Sequence, residues 1–191
     1  TSSAPVWATE DSVYSYNVQA SDADIGDTLT FSAIGLPSWL TIDAKSGVLS
    51  GTPTNDDVGT HYVAVVVTDA LNEWDRQDFV INVANVNDKP VITSSPITVA
   101  TEDSVYNYTL SATDVDKGDT LTYSAKTLPS WLSLDTATGL VSGTPSNDDV
   151  GTHTVSLTVT DSAKETDSQL FSITVENVND APVFSSTPIT T

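Results

Sequence analysis

Asn85-Val86-Asn87-Asp88-Lys89-Pro90 returns 92 residues later as Asn177-Val178-Asn179-Asp180-Ala181-Pro182. Each copy follows a strand-like alternation, Phe79, Ile81, Val83 or Phe171, Ile173, Val175, and precedes an apolar pair, Val91-Ile92 or Val183-Phe184. A strand that runs into amides and carboxylates and stops at proline marks a junction between domains. Proline fixes φ and stiffens the connection. Asn and Asp supply oxygen ligands, which is what a hard cation such as calcium takes. The stretch reads as a hinge that metal could lock.

The same shift aligns residues 1–99 with 93–191 without a gap, and 59 of the 99 pairs are identical. Two repeats follow, each near the smallest size that closes its own core. Their expected extents are residues 1–88 and 89–180, with 181–191 as the opening strand of a third copy. That register predicts a piece of a longer tandem array. Residues 183–191 are then expected to be mobile or borrowed by a neighbour.

Within each repeat the apolar residues recur every second position, and no helical period is present. Val6-Trp7, Tyr14 to Ala20, Leu29 to Ala33, Leu40 to Ile42, Val48-Leu49, Val63 to Val67 and Phe79 to Val83 make about seven short strands. The fold expected is all-β: two tandem immunoglobulin/cadherin-like seven-stranded β-sandwiches. Trp39 and Trp131 read as core plugs rather than sugar-stacking groups. His61 and His153, one per repeat with no thiol partner, read as structural rather than as zinc ligands.

With 26 acids, six bases and no cysteine, the net charge is −20 and disulfides are excluded. Residues 1–92 and 93–191 each hold thirteen acids and three bases. Nucleic acid and anionic membranes are poor partners for such a field, and no segment is apolar enough for membrane insertion. No nucleophile set or phosphate loop recurs. Paired carboxylates leave glycosidase chemistry open by residue type, but they gather at domain ends rather than round a cleft.

The acids recur in register: Glu10-Asp11, Asp22-x-Asp24-x-Gly26-Asp27, Asn55-Asp56-Asp57 and Asp69, matched by Glu102-Asp103, Asp114-x-Asp116-x-Gly118-Asp119, Asn147-Asp148-Asp149 and Asp161. With Ser46-Gly47-Val48-Leu49, Val63-x-Val65-x-Val67-x-Asp69 and the Asn-Val-Asn-Asp-x-Pro junction, this order resembles a cadherin repeat. It is most similar to the dystroglycan-type cadherin-like repeats of bacterial surface proteins, over essentially all of both copies.

The resemblance implies calcium between successive sandwiches. Glu10, Asn55 and Asp57 would close the lower end of repeat 1. Asn87 and Asp88 would bridge, with the Val86 and Lys89 carbonyls. Asp114, Asp116 and Asp161 would reach from repeat 2, with the Asp119 carbonyl. By the same carry-over, Asp22, Asp24 and Asp69 form one incomplete end site, and Glu102, Asn147, Asp149, Asn179 and Asp180 another. The chain departs from the cadherin pattern: Asn55 and Asn85 stand where acids are usual, and the junction is one residue shorter. Fewer charged ligands imply lower affinity, two ions rather than three, and dissociation constants of about 10⁻⁴–10⁻³ M.

The function expected is a non-catalytic, extracellular or cell-surface spacer of bacterial type, stiffened by calcium, whose partners are neighbouring repeats. The alternative is an adhesive module for polysaccharide or another surface protein. On the outward positions of the last two strands, repeat 1 carries Tyr62, Val66, Trp74 and Arg76 where repeat 2 is mostly small and polar. An exposed apolar patch of this kind suits binding. Trp74 could instead cap the sandwich edge and cover Val66 and Val80.

Overall fold

Tyr14, Tyr16, Leu40 and Leu49 from one sheet meet Ala8, Phe31, Val63, Val65, Ile81 and Val83 from another, and these side chains are the core of the first unit. The computed structural model describes residues 2–185. It divides into unit 1, Thr1–Asn87, and unit 2, Asp88–Thr191. In unit 1 the strands are β1 (Trp7–Thr9), β2 (Tyr14–Asn17), β3 (Thr30–Ile34), β4 (Leu40–Ile42), β5 (Val48–Gly51), β6 (Gly59–Thr68) and β7 (Trp74–Ala84). They form a β1-β7-β6-β3 sheet and a β2-β5-β4 sheet. Only β1 runs parallel to its neighbour in this unit, and it lies along the end of β7 that leads to the junction.

The two-residue alternation sends Leu49 and Ile81, both fully buried, into the space between the sheets. Burying one such side chain stabilises by roughly 1.5–3 kcal/mol. Trp39 packs against this core, edge-on to Tyr14 and to His61. The Nε2 of His61 lies 2.6 Å from the Asp57 carbonyl oxygen, which can only accept, so Nε2 carries the proton. Both residues act in packing, and the same contacts recur at Trp131 and His153.

The turn between β4 and β5 is tied by Asp43, whose Oδ1 accepts the amides of Lys45 and Ser46 at 3.0 and 2.7 Å and the Ser46 hydroxyl at 2.8 Å. These bonds, Ser46 first, hold the Asp43 carboxyl below its ordinary pKa, and Asp135 is lowered in the same way by the amides of Ala137 and Thr138. Tyr14 donates to the Pro5 carbonyl at 2.9 Å, and burial pushes its phenol up to about 12.

Unit 2 repeats the plan with β8 (Val91–Ile92), β9 (Val99–Thr101), β10 (Tyr106–Thr109), β11 (Ala112–Thr113), β12 (Thr122–Thr127), β13 (Leu132–Leu134), β14 (Leu140–Gly143), β15 (Gly151–Thr160) and β16 (Thr166–Glu176). Its sheets are β12-β15-β16-β9 and β10-β14-β13, with β8 paired to β11. Among the described residues unit 1 therefore has the expected seven strands, and unit 2 has nine. The addition arises because Val91-Ile92 finds a short antiparallel partner in Ala112-Thr113.

Three local expectations change. The opening strand begins at Trp7 rather than Val6. Ala64, an outward position by alternation, is 4% exposed, because it sits at the base of a hollow bounded by Ile34, Tyr62, Arg76, Asp78 and Val80. Val183-Phe184 carries no strand, and residues 186–191 of the expected opening strand lie outside the described residues.

Candidate metal centre

β1 pairs with the end of β7 from Trp7↔Asn82 to Thr9↔Ala84, and the Glu10 amide extends the ladder to the Ala84 carbonyl at 3.1 Å. The next residue, Asp11, takes a positive φ of 57°, so the chain turns away while the Glu10 side chain stays inside. Glu10 is fully buried. Its Oε1 accepts the Val86 amide in a short bond, and Oε2 is buried without a hydrogen-bond partner among the described residues. At the same pole, Asp57 Oδ2 accepts the Thr54 amide and hydroxyl at 2.9 and 2.8 Å, which closes the single helical turn Asn55–Asp57. Asn55 is half-buried beside it; Asn87 is exposed and Val86 is 45% exposed.

Unit 2 begins with a matching device. The Asp88 amide donates to Asp116 Oδ2 at 2.8 Å, and Asp116 is 8% exposed with Oδ1 left without a partner. Asp114 Oδ1 accepts the Asp116 amide at 2.9 Å in an Asx turn, leaving Oδ2 unpaired. Asp119 Oδ1 accepts the amides of Thr120 and Ser162 at 2.7 and 3.2 Å. Hydrogen bonds from Ser162 and then Thr120 keep the Asp119 carboxyl below its usual pKa. Asp161, 2% exposed, directly follows β15 and accepts the Glu165 amide at 2.8 Å.

Asp114, Asp119 and Asp161 each place a carboxylate oxygen within 4.8 Å of the other two. Asp22, Asp27 and Asp69 do the same in unit 1. Two like charges near 4 Å repel by roughly 1 kcal/mol in water and about 4 near a protein surface. Three in one place concentrate negative potential at each cluster.

In each unit the Asp-x-Asp-x-Gly-Asp segment thus meets the aspartate that follows the long strand. Asp27 joins its cluster and was not among the candidate ligands. Asp119 was expected to offer a carbonyl, yet its side chain is what enters the cluster. The repeated Asp-x-Asp-x-Gly-Asp spacing could have flagged both. Asp24 is exposed and stays outside the unit 1 triad. Lys89 is exposed, with its charge near Asp167.

At the far pole of unit 2, Glu102 is fully buried and neither carboxylate oxygen has a partner among the described residues. Asp149 caps Asn147–Asp149 through the Ser146 amide and hydroxyl at 2.9 and 2.8 Å. Asn147 donates to Asp180 in a short bond, and the Asn179 side chain reaches the Asp180 carbonyl at 3.4 Å. The outward residues of β6 and β7 lie apart from all of this. Tyr62 is opposite Val80, Val66 opposite Arg76, and Trp74 opposite Thr68. Tyr62 and Trp74 are 76% and 66% exposed, Val66 is half-buried, and Arg76 is engaged with Asp78 at 2.5 Å.

Residues 1–84 and 89–176 each match the family described as "Putative Ig domain", He_PIG. The chain belongs to this Ig-like family. The serine-rich adhesin for platelets of Staphylococcus aureus strain USA300 is 32% identical over 168 residues, a match that takes in 81% of this chain and 7% of the adhesin. The chain thus spans a small fraction of the curated relatives it matches. Among solved structures, mouse cadherin-23 EC22-24 aligns over 91% of this chain and 63% of its own, with TM-score 0.59 and 18% identity. The protocadherin gammaB4 extracellular domain aligns over 88% and 33%, with TM-score 0.54 and 20% identity. These Ig-like repeats therefore share the cadherin fold, as the order of motifs led one to expect. No helix among the described residues is long and apolar enough to cross a membrane.

Proposed function

We propose that this chain is a calcium-binding, non-catalytic pair of extracellular repeats, acting as a spacer that calcium stiffens within an adhesin-like surface protein. One observation carries the reading. Glu10 and Asp116 each give one carboxylate oxygen to an amide, of Val86 and Asp88 respectively, and each keeps a buried second oxygen without a partner. Within its own unit, each carboxylate thus engages the linker backbone with one oxygen and keeps the other for a cation.

The donor set fits a hard cation that takes six to eight oxygens. Glu10, Asn55, Asp57, Asn87, Asp88, Asp114, Asp116, Asp119 and Asp161 would hold calcium, with the carbonyls of Val86 and Lys89. Calcium, when bound, would supply the positive charge that these carboxylates lack. The residues themselves fix where the linker backbone runs. Without it, the acids repel and the units turn independently. The same residue types at the outer poles (Asp22, Asp24, Asp69; Glu102, Asn147, Asp149, Asn179, Asp180) would complete their sites with the repeats on either side in an array.

The test is thermal denaturation and small-angle scattering in millimolar calcium and in chelator. Calcium is expected to raise the melting temperature and lengthen the particle. Indifference of both measurements rejects the reading. Asp88→Ala should cost more calcium affinity by calorimetric titration than Asp180→Ala, since only Asp88 has a following unit in this chain.

A second reading, adhesion through unit 1, is favoured by the hollow of about 370 Å³ beside Tyr62, Arg76 and Val80. A sugar chain or a surface protein would rest on Trp74, Tyr62 and Val66, with Arg76 at the rim. Binding in a polysaccharide and protein screen that Trp74→Ala leaves intact, or that unit 2 alone reproduces, counts against it.

A further inference from the structure

The turn Asn55–Asp57 belongs to the connection between β5 and β6, residues 52–58, which carries no strand. Asp56 and Asp57 stand side by side in it, and Asp11 is tied to it through its amide, which donates to the Pro53 carbonyl at 2.8 Å. Repulsion among these charges favours an open connection. The Thr54 bonds to Asp57 Oδ2 close the turn on itself and do not reach the sandwich.

His61 makes that link. It stands on the core-facing side of β6, between the exposed Thr60 and Tyr62. Its ring lies edge-on to Trp39, with centroids 5.9 Å apart, and its Nε2 donates to the Asp57 carbonyl at 2.6 Å. Trp39 is itself held, edge-on to Tyr14 and with its carbonyl oxygen against Gly51, where β5 ends. One core residue therefore meets both ends of the connection, its backbone at Gly51 and its indole at His61.

Unit 2 repeats each contact. The ring centroids of Trp131 and His153 are 6.1 Å apart, His153 Nε2 is 2.6 Å from the Asp149 carbonyl oxygen, and the Asp103 amide donates to the Pro145 carbonyl at 2.8 Å. The histidine returns although its outward neighbours Tyr62, Ala64 and Val66 give way to Thr154, Ser156 and Thr158. Any aromatic ring would serve the packing on tryptophan; the N–H serves the carbonyl.

We propose that His61 is a positioning residue for the metal pole of unit 1, an inference that rests on the calcium reading above. It acts through Asp57 rather than as a ligand. By holding the Asp57 carbonyl it fixes the backbone that carries Asn55 and Asp57. Their side-chain oxygens then stand in place before a cation arrives, and less ordering accompanies binding. His153 holds Asn147–Asp149 in unit 2 by the same bond.

The test separates the ring from its donor in the full isotope-labelled chain. His61→Phe keeps a ring against Trp39 and removes the N–H. His61→Gln removes the ring and keeps an N–H as many bonds from Cα as Nε2. Calcium is titrated while the amides of Glu10, Asn55 and Asp57 are followed. His61→Phe should bind about ten-fold more weakly at these amides, and His61→Gln should bind nearly as the wild type does. Melting temperatures in chelator should rank the other way, with His61→Gln the lower, because it leaves a gap beside Trp39. Equal calcium affinity in His61→Phe and the wild type, or a weaker one in His61→Gln than in His61→Phe, would overturn the proposal alone. Wild-type amides that ignore millimolar calcium would overturn the calcium reading and the proposal with it.

Discussion

Glu10 shows what a single side chain can carry. It is fully buried and one of its oxygens has no partner among the described residues, an arrangement that costs roughly several kcal/mol for an uncompensated charge. Glu10→Gln keeps the acceptor for the Val86 amide and removes the charge. In chelator the variant should melt as high as the wild type or higher, by about 4–8 °C for each kcal/mol in a domain of this size. In calcium it should melt lower. Two scans decide it, and a loss under both conditions would reduce Glu10 to a structural role. Asp43 and Asp135 behave differently, because local hydrogen bonds to their ionised forms depress both pKa values. A depressed folded-state pKa gives stability that is complete above the ordinary aspartate value of about 3.9 and is lost as pH falls through the lower folded value. Asp43→Asn with Asp135→Asn should therefore lower the melting temperature at neutral pH and leave a smaller gap from the wild type below that range.

At the scale of the element, the glycines that end β5 and β14 decide whether each three-stranded sheet can pair. A Cβ on Gly51 would lie 1.7 Å from the Trp39 carbonyl oxygen, and on Gly143 1.8 Å from that of Trp131. Neither backbone can retreat without breaking the β4-β5 or β13-β14 pairing. Gly51→Ala is expected to cost more than about 3 kcal/mol and to unfold unit 1 while unit 2 persists. Calorimetry should then show one remaining transition with the heat of a single repeat. The strands themselves were readable from alternation, because a side chain's face is fixed by its place in the pleat. The pairing of β8 with β11 was not, since two residues are too short to carry a period.

For the whole molecule, a net charge of −20 is a destabilising field that any salt will screen in part. Specific binding predicts more than screening. Millimolar calcium should raise the melting temperature well above the effect of sodium chloride matched in ionic strength, whereas equal effects would mean that only the field was being screened. Magnesium at the same concentration should fall short of calcium, since it demands tighter octahedral geometry and gives up water reluctantly.

Sequence alone determined the repeat count, the all-β sandwich and the family resemblance, because period-2 patterning and a 92-residue register are local and repeated. It also singled out Glu10, Asp114, Asp116 and Asp161 as candidate ligands, because their motifs recur in register. Which oxygens meet was decided only in three dimensions. Asp22, Asp27 and Asp69 are brought together by strand pairing between residues far apart in the chain, and composition does not encode that distance. The burial of Glu102 was equally invisible, since exposure is a property of what packs over a residue.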